Sequence, residues 1–196
     1  MKTLRITSLI LALLVSSLCF AGAQTFTGPL SGANEVPPNA SAGTGFITVT
    51  LNLALHTLRV QATFSNLTGT VTNAHLHAPA PPGVNAGVAT QTPTFTGFPS
   101  GVTFGSYDMT FNTLDNSTWN SAYITANGGT AAGAESAFAS ALMNNQVYFN
   151  LHTNVFPGGE LRANLVPEPS TYALLGLGAL AAGMAAWRRR KALVNP

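Results

Sequence analysis

The sequence predicts an all-β domain, an antiparallel Greek-key sandwich or small barrel with one or two short helices, set between two terminal apolar helices. Three observations carry this. Apolar and polar residues alternate with period two through several runs, the pattern of strands that bury one face. Pro, Gly, Asn and Ser gather between those runs. An uncharged apolar stretch at each end differs in composition from everything between them.

A length of 196 residues holds one domain plus targeting segments. Only 7% of residues are charged, against about 25% in an ordinary soluble chain. The formal charge of +2 belongs to the ends. Between Gln24 and Val166 the only bases are Arg59 and Arg162, against Glu35, Asp108, Asp115, Glu135 and Glu160. A weakly acidic body without a basic patch excludes nucleic acid as a partner. Cys19, the one cysteine, lies in the N-terminal apolar run, so the body can form neither a disulfide nor a thiolate site.

Lys2 and Arg5, an apolar core from Ile6 to Phe20 and then Ala21-Gly22-Ala23 have the layout of a secretory signal peptide over residues 1–23, with cleavage after Ala23. The β domain is expected over residues 24–166. Thr44–Leu55 places Ile47, Val49, Leu51, Leu53 and Leu55 on one face. Leu58–Leu67 repeats the alternation, and the short connection through His56 and Thr57 predicts a hairpin with His56 exposed in its turn. Thr70–His77 is a third strand, stopped by the prolines of Ala78-Pro-Ala-Pro-Pro-Gly83. Val84–Gln91 reads as a short strand, and Val102–Phe111 as a further one with Thr103, Tyr107, Met109 and Phe111 on one face.

Ser117–Ala126 makes a short helix ended by Gly128-Gly129. In Ala131–Asn144 the residues Ala134, Phe138 and Leu142 recur every four along one helical face. Val147–Thr153 and Gly159–Val166 are the last strands, joined by Asn154-Val-Phe-Pro-Gly158. The extended Val166-Pro-Glu-Pro-Ser170 precedes Thr171–Trp187, an apolar segment near the lower limit for spanning a bilayer. Arg188-Arg-Arg-Lys191 would hold its end on the cytoplasmic side.

His75 and His77 share a face of their strand, about 7 Å apart. If the strand carrying His152 lies beside them, three imidazoles converge. Two readings stay open. One is a buried polar cluster in which His75, His77, Asn150, Glu160 and Arg162 satisfy one another. The other is a copper or zinc site, since a three-histidine set suits those ions and leaves a position open. Glu160 and Arg162 share a face by alternation, which makes them a candidate pair. A nucleophile elbow, a phosphate loop and a paired-carboxylate arrangement are all missing from the sequence, so binding is expected rather than catalysis.

The tail resembles the PEP-CTERM sorting signal of Gram-negative bacteria, over residues 167–191. Pro167-Glu168-Pro169, the apolar segment and Arg188, Arg189, Arg190 and Lys191 stand in that order. This implies recognition by an exosortase, a transient inner-membrane anchor at 171–187 and delivery to the surface, with exopolysaccharide or matrix proteins as partners. The body resembles the CHRD domain. Leu30-Ser-Gly-Ala-Asn-Glu-Val-Pro-Pro38, Gly43-Thr-Gly45, Ala74-His-Leu-His-Ala-Pro79, Val147–Thr153 and Pro157-Gly-Gly-Glu-Leu-Arg162 carry that resemblance, with Ala163 standing where Gly is usual.

The feature order is also similar to Cu/Zn superoxide dismutase, which implies a barrel of that kind or an immunoglobulin-like sandwich. On that similarity His75, His77 and His152 take the places of copper ligands, and Arg162 that of an anion-guiding arginine. The bridging histidine, the zinc-ligand set and the disulfide pair have no counterpart here. The functional expectation is a secreted, surface-sorted binding or extracellular-matrix module, with a metal-binding or redox role for the three histidines as the alternative.

Overall fold

A computed structural model describes residues 22–168 and, beyond them, residues 180, 183, 184 and 187. The expected signal peptide, apart from Gly22 and Ala23, and the expected 171–187 helix, apart from Leu180, Gly183, Met184 and Trp187, lie outside the described residues. So do Pro169, Arg188, Arg189 and Arg190. Among the described residues no helix is long and apolar enough to cross a membrane.

The first three strands, β1 (Ala23–Ser31), β2 (Thr44–Asn52) and β3 (Thr57–Ser65), form an antiparallel meander. Its register puts Phe26, Val49 and Val60 in one row. These three and Ile47, Leu51 and Leu58 are at most 2% exposed, so the alternation that predicted the strands fills the core. β2 stops three residues earlier than the apolar pattern suggests. Asn52 Oδ1 accepts the N–H groups of Ala54 and Leu55, and His56 adopts φ 51°, which turns the chain and leaves Leu55 69% exposed.

Leu51→Ala is expected to cost about 2–5 kcal/mol of unfolding free energy, the usual cost of a large-to-small core change. Chemical denaturation measures it, and a loss below about 1 kcal/mol would mean that Leu51 is not core.

β4 (Val71–His77) and β5 (Gly105–Asn112) follow. β5 starts later than expected because the carbonyls of Val102 and Thr103 accept from Val71 and Leu67 instead of extending the ladder. The Val84–Gln91 run is held by single bridges, His77 to Val88 and Thr90 to Trp119, rather than as a strand.

Two short helices come next, α1 (Ser121–Ala126) and α2 (Ala131–Met143), N-capped by the side chains of Asn120 and Thr130. Gly128 and Gly129, at φ 89° and 72°, make the turn between them. Ala134, Phe138 and Leu142 of α2 are fully buried. Buried Glu135 reaches the β2–β3 turn, where its carboxylate lies 3.0 Å from His56 Nδ1 and also accepts from Thr113. His56 is therefore in the turn, half exposed, and tethered to α2.

The last strands are β6 (Tyr148–Thr153), β7 (Leu161–Asn164) and β8 (Val166–Pro167). The antiparallel sheet runs β4-β6-β7-β1-β2-β3-β5, with β8 beside β1, and it curls into a half-barrel around one apolar core. The chain passes between the two ends of the sheet at β3–β4, β4–β5 and β5–β6. The β4–β5 crossing carries the loop that covers the histidine face of β4 and β6.

Candidate metal centre

The polar faces of β4 and β6 meet on the outside of the curl. In their antiparallel register His75 opposes Asn150, His77 opposes Tyr148 and Asn73 opposes His152. Alternation then puts His75, His77, Tyr148, Asn150 and His152 on one face and Ala74, Leu76, Phe149 and Leu151 on the core side. A bulge between Val71 and Asn73 adds one residue to β4, which is how Val71 turns inward although it has the same parity as His75 and His77.

Each imidazole gives one nitrogen to a backbone carbonyl: His75 Nε2 to Pro93, His77 Nδ1 to Ala86 at 2.9 Å, and His152 Nδ1 to Pro157 at 2.9 Å. A carbonyl can only accept, so those nitrogens carry the protons. The other nitrogens, His75 Nδ1, His77 Nε2 and His152 Nε2, are buried lone pairs with no partner in the protein. One nitrogen of each ring lies within 4.8 Å of the other two. A bound ion with metal–nitrogen bonds near 2.0–2.1 Å would draw them to about 3.4 Å. Burial lowers the pKa of all three, that of His77 to about 4, so the rings are neutral and able to ligate at pH 7. Among the described residues no further His, Cys, Asp or Glu joins the group.

A second layer fixes His77. The Tyr148 ring stacks on it at 4.7 Å and 5°, and the Arg162 guanidinium covers the opposite face of that ring at 3.4 Å. All three grip the Val84–Ala86 segment. His77 donates to Ala86 O, Tyr148 Oη accepts from Ala86 N at 3.0 Å, and Arg162 donates to Asn85 Oδ1 at 2.8 Å and Val84 O at 2.7 Å. Arg162 is completely buried. The exposure that guiding an anion would require, implied by the dismutase similarity, is therefore absent.

Asn150 donates to Glu35 Oε2 at 3.1 Å. Burial pushes the Glu35 carboxyl up to about 7, against the pull of Asn150 and Arg162. Glu35 Oε1 and Asn150 Oδ1 would lie 2.6 and 2.4 Å from a Cβ at position 159, where the chain runs at φ 131°, so only glycine fits there.

Glu160 does not pair with Arg162 or with the histidines. It precedes β7, and its carboxylate accepts from Ser41 Oγ, Thr153 Oγ1 and the N–H groups of Thr68 and Gly69. Burial alone would raise its pKa, and these donors outweigh that and leave it lowered. Of the expected cluster, the three histidines meet, Asn150 and Arg162 lie beside them, and Glu160 latches the loops at the far end of β6. Sequence reasoning missed Tyr148, Glu35 and Asn85. Tyr148 was accessible from parity with Asn150 and His152, whereas Glu35 and Asn85 reach the site only through loops.

Ala23, the expected cleavage residue, begins β1 opposite Asn52, and Pro167 of the sorting motif is buried in β8.

Comparison with protein families matches residues 26–165 to the CHRD domain and residues 165–191 to the PEP-CTERM protein-sorting motif. The curated proteins and the solved structures give no match. The sorting motif marks a secreted protein that exosortase processes at the membrane and sorts to the cell surface, as in Gram-negative bacteria.

Proposed function

The chain belongs to the CHRD domain family, and on that premise we propose that it is a surface-sorted domain that binds copper or zinc through His75, His77 and His152. The observation that carries this reading is the convergence of three imidazoles, one nitrogen of each within 4.8 Å of the others, where each ring also keeps one buried nitrogen without a protein partner. Leaving a polar atom buried and unpaired costs about 1–3 kcal/mol each. A metal ion would satisfy all three at once. The carbonyls of Pro93, Ala86 and Pro157 supply the outer-shell bonds that orient metal-ligating histidines and fix their tautomers. A neutral, all-nitrogen set suits copper and zinc better than magnesium or calcium. The fourth position falls to water or a small exogenous ligand. The role assigned is metal binding, and no catalytic step is assigned to the site.

Titration of the full chain with copper or zinc, beside a His75→Ala/His77→Ala variant, tests the proposal. One ion per chain, lost in the variant, is the expected result. A wild-type chain that takes up neither ion at micromolar concentration would end the metal reading.

A matrix role is the second reading, favoured by the opposite side of the molecule. There Thr25, Thr27, Thr48, Thr50, Gln61, Thr63 and Thr110 alternate outward from β1, β2, β3 and β5, with the Arg59–Asp108 ion pair among them. A hydroxyl-rich face of low charge fits contact with hydrated polymer, including exopolysaccharide. Unchanged biofilm and surface assembly after deletion of the protein would remove that role.

A further inference from the structure

We infer that the sorting protease acts on this chain only after β8 has left the edge of β1. The motif begins inside the fold. Pro167 pairs with Phe26, Val166 pairs with Thr27, and the Glu168 N–H donates to Thr25 O at 3.0 Å. No linker intervenes, because β7 ends at Asn164 and the Leu165 N–H is bound to Val147 O at 3.0 Å. The proline does not weaken this ladder. With Glu168 bonded to Thr25, the Phe26–Pro167 pair is a non-hydrogen-bonded one, where a missing N–H costs nothing.

A protease cleft binds its substrate as an extended segment with free backbone groups and accessible side chains. Pro167 and Glu168 offer neither while β8 is paired: the proline ring is buried and the Glu168 N–H is taken. A ladder of two residues at the end of a sheet opens at little cost, so the pairing gates access without forbidding it. The antiparallel register also places the motif beside Thr25 and Phe26, next to the expected signal cleavage after Ala23. Both processing points thus lie at one pole of the domain, and the sorting substrate is the folded domain with β8 unzipped.

The test is made in cells that produce the full chain and its exosortase. Thr27→Cys/Val166→Cys bridges β8 to β1. These residues are directly opposed, and Cα atoms of a hydrogen-bonded pair lie about 5.5 Å apart, within disulfide range. The oxidised double variant should accumulate as unprocessed precursor, dithiothreitol in the medium should restore processing, and each single variant should behave as wild type. Conversely, Gly-Ser-Gly-Ser inserted between Leu165 and Val166 should be processed faster than wild type. Wild-type processing of the disulfide-bonded chain, thiols that fail to bond in the folded chain, or an insertion that leaves the rate unchanged would each overturn the inference.

Discussion

Arg162→Ala is expected to lower the unfolding free energy by about 3–5 kcal/mol, the range for emptying a large buried side-chain site, with two acceptors losing a charged donor as well. Arg162 heads the largest fully buried side chains. Its loss would open a cavity against Tyr148 and leave Asn85 Oδ1 and Val84 O without donors. The Val84–Ala86 segment would then be free to shift, and Ala86 O holds the tautomer of His77. Weaker copper binding should therefore accompany the lost stability. Arg162→Lys should recover little of either, because an ammonium neither forks to two acceptors nor stacks flat on the tyrosine ring. Urea denaturation reads the first effect and copper titration of the folded variant reads the second. A loss below about 1 kcal/mol would mean that the guanidinium is not part of the support.

Acid should destabilise the metal-free domain between pH 6.5 and about 4. In the unfolded chain each histidine takes up a proton near pH 6.5, whereas folded His77 stays neutral to about 4. The unfolded state therefore binds more protons in this window, and stability falls as pH falls. At about 1.4 kcal/mol for each pKa unit, His77 alone contributes about 3 kcal/mol, fully present above pH 6.5 and gone near 4.

Glu35 works in the opposite direction. Folding raises its pKa from 4.5 to about 7, so its contribution is present below pH 4.5 and lost as pH rises through 7. It offsets His77 over much of the range. His75 and His152, also lowered, leave the balance on the side of acid loss. Thermal unfolding from pH 8 to 4 should show that loss, and Glu35→Gln should steepen it by removing the opposing group. Bound metal should steepen it further, since protonation competes for the ligating nitrogens. A melting temperature independent of pH across this window would mean that the histidines are not buried as described.

The strand alternation shows how far the sequence reaches. Ile47, Val49 and Leu51 on β2, and Leu58 and Val60 on β3, were readable as core because a strand with one buried face must alternate. The same rule misled at Leu55, where Asn52 offered its side chain to the backbone and ended the strand, while Leu53 still packs against the core. Composition likewise shows a low-charge body with no cysteine between residues 24 and 166, and the C-terminal motif marks surface sorting.

Only the tertiary structure decided the rest, because its causes are contacts between residues far apart in the chain. His75 and His77 are neighbours by strand geometry, but His152 joins them only through the β4–β6 register. Two loops, the β4–β5 connection with Ala86 and Pro93 and the β6–β7 connection with Pro157, choose which nitrogen of each ring is left bare. Glu160 and Arg162, two residues apart, part company because β7 begins between them. One is claimed by the donors of the Ser41 and Thr68–Gly69 loops, the other by Tyr148 and the Val84–Asn85 segment. Side-chain chemistry sets what each residue can bind. The long-range pairing of strands and the loops folded over them set what it meets.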